Sequence, residues 1–263
     1  MELDSNKSTN SNRAKPTKQV LYEVWSNPFC PTKFPKRAAS MHSSQGHLEG
    51  WRHQVSRFTW LKLRYGAIAG AIILMKLPGV HKQIANRLLM PWLYTTLVVT
   101  AIDKWWLHFF NLRAHYAAQD EVQQVAKLAK DAYTISAPDK LALGDWHLPF
   151  VAEHERYQYT EESGIALSVA RCARTSYARS HAEMLARARM GATHEDLDLF
   201  KRLDVQTPEH AGPKEHQAQA MSSPTYVSGT LVGWHQLRHH DAMAVRLKRL
   251  YQLPHPEHGT ALA

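Results

Sequence analysis

The feature that most constrains the fold is a long helical pattern whose second half is almost entirely apolar. From Trp51 to Leu77, apolar residues recur at mixed spacings of three and four, and Pro78-Gly79 ends the pattern. The longest apolar run within it extends from Gly66 to Met75 and is closed by Lys76. A run of this length is too short to cross a bilayer as a helix, which takes about 20 residues. The pattern therefore predicts a buried helix of a globular protein and no membrane span.

The rest of the chain mixes helical and strand-like patterns. Residues 116–133 predict an amphipathic helix with Val122, Val125, Leu128 and Ala129 on one face. The predicted class is α+β, with helices packed on a small mixed sheet. The remaining segments predict helices at 81–89 and 181–203 and loops or linkers at 1–19, 20–48, 134–164 and 205–228. Two segments stay open: residues 92–101 form either a strand or a buried helix, and residues 229–251 form either one helix or a strand that precedes a helix.

The positive charge is concentrated in the first part of the chain. The formal net charge of the 263 residues is +9, and residues 1–150 carry all of this excess, since residues 151–263 hold equal numbers of basic and acidic side chains. An anionic partner is therefore expected there: a nucleic acid, a membrane surface or a phosphorylated small molecule. The apolar fraction of 44% with eight Trp excludes a disordered chain. The polar start lacks the apolar stretch of a signal peptide.

Several common catalytic motifs are absent. The sequence contains no phosphate-binding Gly-rich loop and no Gly-x-Ser-x-Gly. Neither Cys30 nor Cys172 has a context that would activate a thiolate, and Cys172 is expected to be a small packing residue. The segment WHQLRHH places His235 four residues before His239, but no Cys or Glu completes a metal-binding set at familiar spacing. We therefore expect no metal site.

Two arginines stand in apolar surroundings, Arg87 in NRLLMPW and Arg113 in FFNLRAH. An arginine in such a setting often extends its charge to solvent or pairs with a carboxylate. Converging with Arg13, the two would instead form a fork for a phosphate, which a guanidinium group matches bidentately. The residues alone leave both interpretations open.

Six segments together resemble a known family. SNR, NRLLMPWLYT, FFNLRAHYAAQDEVQ, SVARCARTSY, TPEH and GWHQLRHH are similar to pieces of the flavin-dependent thymidylate synthases, and HKQIANRLL, WSNPF and GDWHLPFV resemble pieces of its phage-type members. The resemblance implies a cytoplasmic homotetramer in a bacterium or a phage-infected cell. It implies bound FAD, with dUMP as substrate, methylenetetrahydrofolate as carbon donor and NADPH as reductant.

The resemblance also implies a substrate site. By the family pattern, Arg87 and the pair Leu112-Arg113 contact dUMP, and Ser11 and Arg13 hold its phosphate from a neighbouring subunit. Three guanidinium groups around one phosphate are physically reasonable, because charge-assisted hydrogen bonds are about twice as strong as neutral ones.

The flavin elements of the family are matched less completely. Ser176 corresponds to the family's serine that meets the FAD phosphate. The family's Thr/Ser-Pro-x-Glu-His element is split here, with Thr207 in one partial match and Glu215 in the other. By resemblance, the remaining FAD-binding positions are Lys104, His108, Arg238, His239 and His240, of which Lys104, His108 and His240 depart from the family's usual residues.

The order of the elements is reversed relative to the simple family members. Residues 1–150 resemble the family's C-terminal, nucleotide-binding half, and residues 151–263 resemble its N-terminal, flavin-binding half. The chain is therefore expected to be a rearranged or front-truncated member. Three alternatives remain: a catalytically degenerate member, a phage dUMP hydroxymethylase, or a basic nucleic-acid-binding protein. The last would stack bases on Trp25, Trp51, Trp60, Trp105 and Trp106, and is not favoured.

Overall fold

The computed structural model describes residues 15–36, 46–175, 193–205 and 212–249, together with the backbone of one strand at Asn6–Thr9. The described chain divides into two compact units, each with its own core. The first holds residues 15–36, 46–97 and 101–139. The second holds residues 98–100, most of the strand at Asn6–Thr9, and the described residues from 140 onward.

The first unit is helical. Its core joins Val20 and Val24 of the first helix to Ala71, Leu89 and Trp92. The helices are α1 (Thr17–Ser26), α2 (Gly50–Lys76), α3 (Lys82–Arg87), α4 (Asp103–Arg113) and α5 (Asp120–Ile135), with a 3-10 turn at Met90–Trp92.

Helix α2 shows how the local sequence sets the helix bounds. It ends at Lys76 because Pro78 disfavours helical backbone at Leu77, which is extended, with ψ of 128°. Within the helix, the buried Arg64 donates from Nη1 to the Val24 carbonyl at 3.3 Å, near the C-terminal end of α1. A guanidinium at a helix C-terminus satisfies carbonyls that lack a partner in the helix.

The prediction that the apolar run is buried is wrong for much of its surface. One face of α2 packs against α1 and α3, but Ile73 and Met75 are exposed and Ala71 is the buried apolar residue of the helix. The whole helix is also longer than the apolar run. Among the described residues it is the one helix whose length and composition would allow it to cross a membrane, a test that core helices of soluble proteins also pass.

The second unit combines helices with short strands. Strand β1 (Asn6–Thr9) pairs with β2 (Leu97–Thr100) in a two-stranded sheet. A three-stranded antiparallel sheet has the order β3-β4-β7, in which Trp146 lies opposite Gln219 and Gln219 opposite His235. The remaining elements are β3 (Trp146–His147), α6 (Glu153–Gln158), α7 (Glu161–Arg174), α8 (Thr193–Asp204), β4 (Ala218–Ala220), β5 (Val227–Ser228), β6 (Leu231–Val232), β7 (Trp234–Gln236) and α9 (Asp241–Arg249).

Helix α7 forms the centre of this unit. Every residue from Gly164 to Ala173 is buried. Its apolar side chains pack against Phe200 of α8, Trp146 of β3, and Met243 and Leu247 of α9. Burial on all sides from Gly164 to Ala173 accounts for the mostly apolar stretch IALSVARCA, in which the polar Ser168 and Arg171 are buried as well.

The predicted α+β class is confirmed, but the three-stranded sheet is antiparallel rather than mixed. The open prediction for residues 92–101 resolves to a strand, and that for residues 229–251 to strands followed by a helix. Residues 20–26 and much of 134–164 are not loop or linker: they contribute to α1, β3, α6 and α7.

Candidate functional site

The first unit presents three of the predicted binding residues along one side of α4. Lys104, His108 and Leu112 are spaced four apart and are all exposed. The indole ring of Trp105 lies 5.6 Å from the Lys104 ammonium group and 6.3 Å from the His108 ring. A cation, an imidazole and an aromatic ring thus share one patch, a chemistry that suits a ligand with both a negative charge and a flat ring.

The other side of α4 is fixed by aromatic packing. The buried Phe110 stacks on Trp106 at 5.6 Å and meets Tyr133 of α5 edge-on at 5.5 Å. These contacts fix the rotation of the helix about its axis, so that the Lys104 side faces solvent.

The two predicted dUMP arginines each lie at the C-terminal end of a helix. Arg87 ends α3 and is exposed, and it makes no hydrogen bond or ion pair with any residue that the structure describes. The neighbouring Ala85 and Asn86 are buried, and Asn86 donates to the Lys15 carbonyl at 3.2 Å, which fixes the helix end. Arg113 ends α4 and is half-buried. Convergence of the two guanidinium groups stays a prediction, and Ser11 and Arg13 lie outside the described residues.

In the second unit, Arg238 is held by three neighbours. Its Nη1 donates to Glu215 Oε1 at 2.6 Å, and its Nε donates to Gln236 Oε1 at 2.7 Å and to His239 Nε2 at 3.0 Å. Nη2 of Arg238 makes no hydrogen bond within the described part of the chain, so part of the guanidinium remains available to a ligand.

A tight turn brings backbone against this arginine. Gly229 occupies the first central position of the β5–β6 hairpin with a φ of +59°, as in a type II′ turn. A Cβ at this position would lie 2.5 Å from Gln236 Oε1 and 3.3 Å from Arg238 Nη2. Gln236 is itself fully buried and donates from Nε2 to the Glu215 carbonyl at 2.8 Å. Glycine is therefore required for the close approach that positions Gln236 and, through it, Arg238.

The two histidines of β7 and of the turn after it stack on each other. The rings of His235 and His240 are 4.4 Å apart and nearly parallel. His240 Nδ1 accepts from the Met243 backbone N–H at 3.2 Å, and its Nε2 donates to Gln219 Oε1 at 3.1 Å. This pair of bonds requires a neutral imidazole, and burial, followed by the nearby His235, lowers the pKa of His240.

A second pair of histidines is more deeply buried. His216, which follows the predicted Glu215, is completely buried, and its Nδ1 lies 2.9 Å from Thr100 Oγ1. Burial, with a smaller contribution from His147, lowers the pKa of His216 to about 4. Burial also lowers the pKa of His147, helped by the charge of Arg156. Within the described residues, no group of three or more His, Cys, Asp or Glu is placed to hold a metal ion.

Two further predicted flavin residues, Ser176 and Thr207, lie outside the described residues. Among the described ones, Lys104 and His108 belong to the first unit, whereas Glu215, Arg238, His239 and His240 belong to the second.

The prediction that Cys172 is a packing residue agrees with its burial, which raises the pKa of the thiol to about 12. A group with that pKa is a thiol at neutral pH and is not a nucleophile.

Sequence reasoning missed Arg171, the most heavily bonded charge of the second unit. It makes two hydrogen bonds with Glu155, at 2.6 and 2.7 Å, and one with Asp196 at 3.1 Å. Its Nη1 also donates at 2.7 Å to the carbonyl of Phe150, which has the unusual φ of +64°. In the sequence, Arg171 stands in an apolar run, as Arg87 and Arg113 do. It differs from those two arginines in its acidic partners on α6 and α8, which only the folded structure reveals.

The comparisons with known proteins bear on the first unit. A family model described as "Thymidylate synthase complementing protein" matches residues 22–139. The matched segment includes Arg87, Lys104, His108, Leu112 and Arg113. The family resemblance is therefore confirmed across this segment, while residues 140–263 lie beyond it. The comparisons with curated proteins and with solved structures found no match.

Proposed function

We propose that the protein is a flavin-dependent thymidylate synthase that converts dUMP to dTMP. The observation that carries the proposal is the family match over residues 22–139, which contains Arg87 and Arg113, two of the three arginines that the motifs assign to dUMP. In this reaction the methylene carbon of methylenetetrahydrofolate bonds to C5 of the uracil ring, and the C5 hydrogen leaves as a proton. NADPH provides the two electrons that reduce the methylene to a methyl group, so the products are dTMP, tetrahydrofolate and NADP⁺.

The substrate site is proposed at the helix ends of the first unit. The exposed guanidinium of Arg87 would pair with the nucleotide phosphate, and Arg113 and Leu112 would contact the nucleotide alongside it. Ser11 and Arg13 would complete the phosphate site from a neighbouring copy. A charge-assisted hydrogen bond contributes about 1.5–3 kcal/mol, so loss of one arginine should weaken dUMP binding by at least tenfold.

The residues of the second unit are compatible with a bound flavin. The Arg238 guanidinium is held rigidly, with Nη2 available for a carbonyl or phosphate oxygen, and the exposed His239 ring lies beside it. Lys104, His108, Ser176, Thr207, Glu215 and His240 are the other proposed FAD contacts. When bound, the flavin supplies the hydride, so the role of these side chains is binding and orientation.

Self-association belongs to the proposal because the family site is built from several subunits. Large apolar side chains on α1, α2 and α5 are exposed, with Leu128 at 70% and Trp51 at 72%. Exposed apolar surface of this kind marks protein interfaces, and a homotetramer is the proposed assembly.

The direct test is the visible absorbance spectrum of the purified full-length chain, followed by titration with FAD. We expect a flavin signal, together with dTMP formation when dUMP, methylenetetrahydrofolate and NADPH are supplied. Mass analysis of the product would identify the hydroxymethylated nucleotide if the chain catalysed that reaction instead. A colourless protein that gives no flavin titration signal would refute the proposed enzyme.

The arginine assignments are tested separately, by calorimetric dUMP titration of Arg113→Ala and Arg87→Ala. The matched control is Arg57→Ala, since Arg57 is an exposed arginine of the same unit that no motif assigns to the site. We expect loss of dUMP affinity in the first two variants and none in the control, with unchanged circular dichroism in all three. Retained affinity in both site variants would overturn the substrate site.

One observation favours a second candidate function, a nucleotide-binding member of the family without catalysis. Glu215 already neutralises Arg238 within the chain, with side-chain exposures of only 22% and 28%. If this pair excludes the flavin, dUMP would bind and no flavin would. Glu215→Gln removes the charge of the partner, so FAD binding that appears only in this variant would identify the degenerate member.

A further inference from the structure

Helix α2 has two apolar faces, and within the part of the chain that the structure describes, one of them packs in the core of the first unit. Trp60, Ala67, Ala71 and Leu74 face the core of the first unit. The opposite side carries large exposed residues, including Trp51 at 72% and Phe58 at 62% exposure. A surface helix of a globular protein ordinarily has one apolar stripe, so a second one indicates a second packing partner.

One set of residues on the solvent side of α2 alternates at spacings of four and three, and all of its members are exposed except the half-buried Ile72. The spacing averages 3.5 residues, which is the period that keeps one side of a helix against another helix. We call this side the α2 seam; it consists of Trp51, Val55, Phe58, Lys62, Tyr65, Ala69, Ile72 and Lys76.

We propose that the α2 seam packs against the α2 seam of a second copy of this chain, antiparallel, with the two-fold axis between residues 63 and 64. In this register, large residues face small ones and cations face aromatic rings. The facing pairs are Trp51 with Lys76, Val55 with Ile72, Phe58 with Ala69, and Lys62 with Tyr65. Each pair occurs twice, as an isologous interface requires.

The charges of α2 favour this orientation over a parallel one. The helix contains no acidic residue; Arg52, Arg57, Lys62 and Arg64 precede the uncharged stretch 65–75, and Lys76 follows it. Antiparallel pairing places the half that holds four of these five cations against the stretch 65–75 and sets Lys76 opposite the Trp51 ring. Parallel pairing in register would bring Lys62 against Lys62 and Arg57 near Arg57, and like charges at close range repel.

The contacts of Lys62 show that such a seam accommodates a cation. Its Nζ lies 5.2 Å from the Phe58 ring and 5.8 Å from the Tyr65 ring of its own helix. Tyr65 also meets the exposed Trp25 of α1 edge-on at 5.6 Å, which extends the aromatic surface beyond α2. Cation–π contacts strengthen when they are removed from water, as they would be between two copies.

The available area suffices for a stable pair. The helix is about 40 Å long. From their exposed fractions, the seam side chains and the adjacent Ile73 offer about 600 Å² of apolar surface per copy. Two copies would bury about 1,200 Å², the lower bound of specific protein interfaces.

This inference specifies a surface for the self-association included in the proposed function, but it makes no use of the flavin or of dUMP. The two can fail independently, because cross-linking tests the pairing and ligand titration tests the site.

Cysteine cross-linking tests the register directly. In a Cys30→Ser background, we would make Val55→Cys, Ile72→Cys and the double variant, and oxidise each under native conditions. A disulfide needs Cα atoms about 4.4–6.8 Å apart, a condition that the facing pair Val55 and Ile72 satisfies in the antiparallel register. We expect a covalent dimer from the double variant and from an equimolar mixture of the two single variants, and little from either single variant alone. Efficient cross-linking of each single variant would show parallel pairing and overturn the proposal.

A matched pair of substitutions tests the seam by sedimentation. Phe58 lies on the seam, whereas Leu63 is equally exposed, at 64%, and lies off it. Phe58→Asp should weaken self-association at least tenfold, and Leu63→Asp should leave it within about twofold. The pairing would be refuted if the two variants had equal effects. It would also be refuted if the wild-type protein stayed monomeric and sedimented with neutral phosphatidylcholine vesicles.

Discussion

Removal of Arg171 should unfold the second unit at much lower denaturant concentration. The side chains of Arg171, Glu155 and Asp196 are 4%, 4% and 1% exposed, so the variant Arg171→Ala leaves Glu155 without its guanidinium partner in a nearly dry environment. Burial by itself raises the pKa of Glu155, and the hydrogen bonds from Arg171 and from the Ala152 backbone N–H reverse this and lower it. Breaking a buried ion pair from one side costs about 3–5 kcal/mol.

Urea unfolding monitored by circular dichroism measures this effect. With a slope of about 2 kcal/mol per molar urea, the midpoint of the second unit should fall by about 2 M. The control is Arg246→Ala, which removes an exposed arginine that pairs with Glu161 and Glu162 at the surface and should cost less than about 1 kcal/mol. Equal midpoints for the two variants would show that burial does not set the strength of these pairs, and would refute the reasoning.

Three further predictions concern acid, backbone strain and thiol chemistry. As pH falls from about 6.5 to about 4, the unfolded chain takes up a proton at His216 before the folded chain does, so the free energy of unfolding should fall by about 3 kcal/mol. Urea titrations at several pH values would measure this fall, and the variant His216→Gln should reduce it. Gly229→Ala should destabilise the fold by about 1–3 kcal/mol in urea unfolding, because its Cβ would overlap Gln236 and its φ is positive; a neutral effect would exclude the tight turn. Iodoacetamide at pH 8 should alkylate the partly exposed Cys30 and leave Cys172 unmodified by mass spectrometry until the chain is denatured.

Three helices of the first unit, α2, α3 and α5, were predictable from the sequence, whereas α1 fell in a predicted loop and α4 was not predicted as a helix. In the second unit, α8 and α9 lie in segments that favoured a helix, and α6 and α7 do not. Pro78-Gly79 and the spacing of apolar residues predicted the bounds of α2 within one residue. Helix α7 is buried on all sides from Gly164 to Ala173, and its sequence suggested only a short apolar piece. Strands β5 and β6 are two residues each, too short for a period-two pattern to appear.

The candidate site was predictable only where a motif supplied the residues. Arg87 and Arg171 both interrupt apolar runs, yet one is exposed and the other is buried between two carboxylates. The difference depends on Glu155 and Asp196, which are 16 and 25 positions away from Arg171 in the chain. Contacts at such separations are set by tertiary packing, and no local pattern around either arginine encodes them.

The two ligands of the proposed enzyme test different parts of the chain. The family match covers two of the three arginines assigned to dUMP, whereas Arg238, a proposed flavin contact that makes three hydrogen bonds, lies in the second unit and beyond the match. A protein that binds dUMP but no flavin would therefore support the substrate residues and contradict the flavin assignments, those of Lys104 and His108 within the match as well as that of Arg238 beyond it. A protein that binds flavin but loses no dUMP affinity in Arg87→Ala or Arg113→Ala would contradict the motif transfer within the matched segment itself. Measuring both ligands on the same preparation thus separates an error in the dUMP residues from an error in the flavin residues.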